Sequence, residues 1–149
     1  MHHPLLTLLL DLDGVQQSPR YHPEGDALYH SLQVFDLARA STDDPELWAA
    51  ALFHDVGKAC VTDGESHDEV GAELLDGLVS ERVRLLVLYH LDLLRDPRRT
   101  MRRLANTSQL RDLMLLRRWD LGGRSPHAIT STPQHAMHLL MQRHHERNA

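Results

Sequence analysis

Apolar residues along this chain recur at intervals of three and four almost from end to end, and no run alternates apolar and polar residues as a half-buried strand must. A chain patterned this way buries its apolar stripes only by packing helix on helix, so the fold class expected is all-α, a helical bundle with short connections. Its 149 residues leave room for one core. Neither a repeat nor a low-complexity linker divides the chain, and residues 1–149 are read as a single domain.

Start and stop signals divide the pattern. A short helix is expected over about Pro4 to Leu10, then a loop rich in Gly, Pro and polar residues to Gly25. Asp26 is a suitable cap for a helix with Leu28, Leu32, Phe35 and Ala38 on one side, broken at Ser41-Thr42-Asp43-Asp44. Asp44-Pro45 opens the next helix, which Gly57 can end. Ser66-His67-Asp68-Glu69 has the form of a capping box. Ser80 can cap a helix through Leu85, Leu88 and Leu91 that stops near Asp96-Pro97, and a basic segment with Arg98, Arg99, Arg102 and Arg103 follows. Ser108 begins a helix that Gly122-Gly123 terminates, and Thr132-Pro133 starts a last one reaching about His144.

A formal net charge of −5 argues against a protein that coats nucleic acid indiscriminately. The basic side chains are arginines, with Lys58 the sole lysine. Cys60 is the sole cysteine, which excludes an internal disulfide and suits a reducing, cytoplasmic setting. The run Leu5–Leu10 lacks a basic flank and is followed at once by Asp11 and Asp13, so it does not read as a signal segment. No stretch is long enough to cross a bilayer, and no membrane partner is expected.

Histidine is the outlier, with 12 in the chain. His2, His3, His144 and His145 lie at the termini and are discounted. The interior set is different. His30, His54, Asp55 and His90 each sit beside apolar residues of a helical stripe, where an imidazole or carboxylate needs a partner. One metal ion would satisfy several of them together. Imidazole and carboxylate suit Mn, Fe, Co, Ni or Zn, and Mg less comfortably. A Cys-rich structural zinc site is excluded. Because a carboxylate can bridge two ions, Asp55 is the natural bridge if the centre is dinuclear.

The order His30, His54-Asp55, His67, His90, Asp120 resembles the HD superfamily of helical metal-dependent phosphohydrolases. His54-Asp55-Val56-Gly57-Lys58 looks like that family's H-D-x-G-K core. Tyr21-His22-Pro23-Glu24-Gly25-Asp26 and the residues on to His30 resemble the segment before the first metal histidine in the HD domain of bacterial tRNA nucleotidyltransferases. Ser66-His67-Asp68-Glu69-Val70-Gly71-Ala72 resembles their G-H-E-x-x-G-A step, with serine for the first glycine. Asp120 with Gly122-Gly123-Arg124 resembles their terminal D-x-x-G-R region, with one residue of slack. The likeness runs from about residue 21 to 124. Only about twenty residues precede it, so what it implies is the phosphohydrolase part and not nucleotide addition.

The resemblance implies one or two divalent ions, with His30, His54, Asp55 and Asp120 around the first and His67 and His90 joining Asp55 around the second. It implies hydrolysis of a phosphoester by metal-activated water, with Lys58 beside Asp55 as a cation for a phosphoryl oxygen or the leaving group. A small phosphorylated substrate follows, a nucleotide above all, with an RNA end as a further candidate. His22, Glu24, Lys58 and Arg124 are the candidate substrate contacts. Two rivals use the same residues: a di-iron oxygenase of the same fold, and a metal-containing nucleotide sensor without turnover. Leu10-Asp11-Leu12-Asp13-Gly14 looks like the nucleophile word of haloacid-dehalogenase phosphatases, but that chemistry needs a strand in a parallel sheet. His135 and His138 are read as a surface pair.

Overall fold

A computed structural model describes residues 3–61 and 66–148, and His2 lies outside them. The elements are α1 (Pro4–Leu10), α2 (Ala27–Ser41), α3 (Pro45–Phe53), a 3-10 turn (Val56–Ala59), α4 (His67–Leu75), α5 (Glu81–Tyr89), α6 (Asp92–Arg95), α7 (Pro97–Arg103), α8 (Ser108–Gly122) and α9 (Pro133–Asn148). The all-α expectation holds. Among the described residues the extended backbone pairing is an isolated antiparallel bridge between Gln16 and Asp26.

α3 is the axis of the bundle. Its sequence PELWAAALF is apolar on every side, and Leu47 to Phe53 are all buried, as a helix surrounded by others must be. α2, α5, α8 and α9 pack around it, and α1 closes the base against α9. Phe35, Leu52, Phe53, Leu86, Leu113 and Leu116 fill the centre. Each such side chain contributes roughly 1.5–3 kcal/mol on burial, against about 1 kcal/mol for an N-cap. Apolar faces therefore decide the architecture, and caps decide where helices begin.

The caps behave as their chemistry suggests at three helices. Asp26 accepts from the Tyr29 N–H at 2.9 Å, Asp44 from the Glu46 N–H at 3.0 Å, and Ser80 from the Val83 N–H at 3.3 Å. Ser66 departs from the capping-box expectation. Its backbone turns at ψ 71° and its side chain makes no capping bond, while Asp68 folds inward to Arg95 at 2.8 Å.

Three boundaries also move. α3 stops at Phe53, before Gly57, because the chain tightens into the 3-10 turn. α5 stops at Tyr89 and not near Asp96-Pro97, because His90 turns its own ring onto the Val87 carbonyl and the chain restarts as α6. The basic segment is itself helical, with Asp96 and Pro97 opening α7. Thr107, one residue before Ser108, caps α8, and α9 runs on past His144 to Asn148. The Asp11-Leu12-Asp13-Gly14 word is the turn that ends α1. There the Gly14 N–H, at φ +83°, donates to Asp26 at 2.6 Å.

Candidate metal centre

Helix ends converge on one point beside α2. His54 caps the C-terminus of α3, Asp55 opens the 3-10 turn, His67 is the first residue of α4, His90 caps the C-terminus of α5, and Asp120 lies in the last turn of α8. His30 faces them from near the start of α2. All six candidate ligands named from the sequence thus lie together. His22 joins them, and the rings form a row, His22–His30–His54–His90–His67, with successive centroids 5.1, 5.5, 5.2 and 5.4 Å apart.

The helix ends also fix the rings. The last carbonyls of a helix have no intrahelical partner. His54 Nδ1 donates to the Ala51 carbonyl at 2.8 Å, and His90 Nδ1 to the Val87 carbonyl at 2.6 Å. Each bond engages one of the last carbonyls of its helix and turns Nε2 toward the cluster. Asp55 adopts φ −107°, ψ 11°, the sparsely populated bridge region that reactive residues often occupy.

Gly57 lets the ligand helices approach. A Cβ built on it would lie 2.0 Å from the His67 carbonyl oxygen and 2.7 Å from the Gly71 nitrogen. The backbone of the Asp55 turn therefore rests directly on the backbone of α4. Gly123, after Asp120, is confined in the same way, with a Cβ there 2.7 Å from Val34.

The donor atoms around Asp55 have partners of one kind only. His30 Nε2 is 2.8 Å from Asp120 Oδ1 and 3.7 Å from Asp55 Oδ2. His54 Nε2 is 3.2 Å from Asp55 Oδ2 and 3.5 Å from Asp120 Oδ1. His67 Nε2 and His90 Nε2 lie 3.3 and 3.5 Å from Asp55 Oδ1. His54 Nε2 and His90 Nε2 are buried and, despite these short distances, make no hydrogen bond of acceptable geometry.

For His30, His54 and His90, both ring nitrogens face acceptors, a carbonyl on one side and carboxylates on the other. Only a doubly protonated ring, or one whose Nε2 lone pair meets a cation, suits such partners. Adjacent imidazolium rings at these spacings repel one another, whereas neutral rings around a shared divalent ion do not. The donors also group correctly. One atom each from His30, His54 and Asp55 lie within 4.8 Å of one another, and so do atoms of Asp55, His67 and His90. The residues fit one ion or two, with Asp55 common to both groups.

The charges agree. Burial opposes ionisation of Asp55, yet His54 and Lys58 hold its carboxyl well below the usual range. Asp120, also opposed by burial, is held low by His30 and His54. Burial lowers His54, but the pull of Asp55 and Asp120 overrides it and raises the ring to about 10. The carboxylates thus demand positive charge at the point where the imidazoles converge.

A cleft of about 560 Å³ opens onto the cluster. Its lining includes the polar residues His22, Lys58, Arg117 and Arg124 and the apolar or aromatic residues Tyr21, Leu91, Leu94 and Leu121. Lys58 Nζ is 3.1 Å from Asp55 Oδ2 and donates to Gln17 at 2.5 Å. Arg124 donates to the Tyr21 and Asp120 carbonyls at 2.9 and 3.2 Å. Arg117, not singled out from the sequence, places Nη1 3.8 Å from Asp120 Oδ2. Its spacing of three before Asp120 on α8 was the available signal.

Of the candidate substrate contacts, Glu24 is placed otherwise than expected. Its side chain is fully buried against His30 and does not line the cleft, because the turn at Gly25, φ +82°, folds it inward. His135 and His138 are exposed on α9. Among the described residues, no helix is long and apolar enough to cross a membrane.

Comparison with known proteins follows the same lines. "Multifunctional CCA protein" of Halorhodospira halophila is 44% identical over 91 residues, 54% of this chain and 21% of the relative. The protein of that name from Hahella chejuensis is 39% identical over 83 residues, 52% of this chain and 19% of the relative. That from Methylococcus capsulatus is 54% identical over 48 residues, 32% of this chain and 11% of the relative. The chain spans about a fifth of the length of the first two. A family profile described as "HD domain" matches residues 27–121, more than half of the chain and the stretch from the start of α2 to the end of α8. With that match, the chain belongs to the HD-domain family.

Proposed function

We propose that this protein is a metal-dependent phosphohydrolase that cleaves a nucleotide-type phosphomonoester or phosphodiester. The observation that carries the reading is the set of buried imidazoles whose Nδ1 atoms are tied to main-chain carbonyls while their Nε2 atoms converge on Asp55 and Asp120. His30, His54, Asp55 and Asp120 would hold one ion, and His67 and His90 with Asp55 a second. The ion would be Mn, Fe, Co, Ni or Zn, with Mg the weaker fit. Such an ion, when bound, supplies charge to a phosphoryl oxygen and acidifies water for attack on phosphorus.

The rest falls to this chain's own side chains. Lys58, Arg117 and Arg124 surround the two carboxylates on the cleft side, where they bind and orient phosphoryl oxygens. Lys58, fixed by Gln17 and Asp55, is the cation nearest the shared ligand and steadies charge on the leaving oxygen. Tyr21, Leu91, Leu94 and Leu121 give the cleft lining apolar surface that suits the weakly polar face of a nucleobase. Water adds to phosphorus, the P–O bond to the leaving group breaks, and the departing oxygen takes up a proton. A free nucleotide and an RNA end both present this chemistry.

Elemental analysis of the purified protein, followed by phosphate-release assays with Mn, Co, Ni or Mg restored after chelation, tests the proposal. The panel holds phosphomonoesters, cyclic nucleotides and short RNAs with terminal phosphates. The expected outcome is metal-dependent hydrolysis that proceeds without oxygen. Oxygen consumption by the iron-loaded protein without phosphate release would make it an oxygenase, and tight nucleotide binding without turnover would make it a sensor.

A further inference from the structure

Resting on the metal reading above, we propose that Glu24 is the positioning residue of the centre, holding His30 in the tautomer and orientation that aim its Nε2 at the ion.

The argument starts from where the three buried rings sit. His54 and His90 end their helices, so each finds one of the last carbonyls, three residues back, to fix its Nδ1. His30 lies in the second turn of a fifteen-residue helix, where the backbone carbonyls are engaged in the helix's own bonds. Its Nδ1 must be held from outside. The Gly123 carbonyl accepts from it at 2.8 Å, and the Glu24 carboxylate adds a charge contact, Oε2 lying 2.7 Å from Nδ1.

A fully buried carboxylate is costly unless something requires it. Glu24 Oε2 lies 2.7 Å from His30 Nδ1 as a charge contact and is hydrogen-bonded to His22 Nδ1 at 3.2 Å. Its other oxygen is buried and, among the described residues, lacks a hydrogen-bond partner. The loop is built to hold it there. Asp26 caps α2, the Gly25 N–H donates to the His22 carbonyl at 3.0 Å, and Arg124 ties the Tyr21 carbonyl to the end of α8. A carboxylate behind a ligand imidazole favours the proton on the near nitrogen and raises the basicity of the distal one. Of the three buried rings, His30 is the one so equipped, and it faces the group it forms with His54, Asp55 and Asp120. Glu24 therefore acts on metal retention at that group and not by touching the substrate.

The test uses the full chain stripped of metal and titrated calorimetrically with Co²⁺, as wild type, Glu24→Gln and Glu24→Ala. Two-bond ¹H–¹⁵N histidine spectra of the metal-free proteins are read alongside. Both variants are expected to lose roughly 10- to 100-fold in Co²⁺ affinity, with the His30 Nδ1–H signature weakened in both and most in Glu24→Ala, where the Gly123 carbonyl alone holds it. Affinities within twofold of wild type with a raised KM would overturn the proposal and return Glu24 to the substrate. A lowered melting temperature with unchanged affinity and unchanged His30 signals would overturn it in favour of a merely structural role. If Glu24→Ala does not fold, Glu24→Gln and Glu24→Asp, the latter withdrawing the carboxylate by one methylene, decide the matter by the same readings. Wild-type protein that takes up no Co²⁺ would refute the metal reading itself, a result distinct from the failure of Glu24's role.

Discussion

Two polar clusters sit on opposite sides of α3's N- and C-terminal ends, and they are built to different rules. At the N-terminal end Arg82 gathers Asp44 at 2.7 Å, Glu46 at 3.4 Å and Asp112 at 3.0 Å, with Ser80 bonded to Glu46. Every contact there joins a donor to an acceptor, the guanidinium is about a third exposed, and the cluster is complete as it stands. At the C-terminal end the rings of His30, His54 and His90 face acceptors on both nitrogens, and two Nε2 atoms are buried without a hydrogen bond. The first cluster fastens helices α3, α5 and α8 at the surface. The second leaves two buried ring nitrogens unbonded. Incompleteness, and not the number of charged groups, separates a binding centre from a structural one.

The strongest way to break that contrast is Asp55→Asn. Removing the carboxylate common to both donor groups is expected to abolish metal uptake and lower hydrolysis at least ~1,000-fold, more than the loss of a single charge-stabilising donor. A chelator should then lower the melting temperature of wild type and leave that of Asp55→Asn unmoved, since ligand at a hundred times its dissociation constant adds about 2.7 kcal/mol. Full metal content in Asp55→Asn, by elemental analysis, would dissolve the contrast.

Lys58→Ala sharpens it. Lys58 lies beside the donors without being one, so metal content should persist while turnover falls roughly 100-fold. Loss of metal would make Lys58 part of the holding structure instead.

The smallest effect belongs to the other cluster. Arg82→Met should leave metal content and turnover unchanged and cost about 1 kcal/mol, as a partly exposed ion-pair network does. The effect carries a pH signature. Burial pushes Asp44 up, but Arg82 wins and holds it below its ordinary value. A carboxyl lowered in the folded state contributes stability that is present above its unfolded pKa, about 3.9, and lost as pH falls through the folded value. The stability gap between wild type and Arg82→Met in urea unfolding should therefore be full at pH 7 and close below about pH 4. A gap independent of pH would show that Arg82 acts by packing alone.

The fold was largely legible because helix starts carry local chemistry, and Asp26, Asp44-Pro45 and Ser80 each cap what they precede. Helix ends were less so. α5 ends where it does because a ligand candidate turns its ring onto its own helix, an event invisible to periodicity. In the same way the candidate ligands could be named from their order and local words, and they do converge in space. Two residues around them could not be placed. Glu24 read as a substrate contact because its burial depends on where α2 and α8 meet, and Arg117 read as one arginine among many. Which side chain backs a ligand is a tertiary fact that spacing along the chain does not encode.

Gly57 has a mechanical consequence. The turn that carries Asp55 touches α4 through bare main chain, with no side chain between them to yield. A soft contact would absorb a small shift of α4, and this one transmits it. Any molecule that tilts α4, wherever it binds along that helix, thus has a stiff lever on the shared carboxylate.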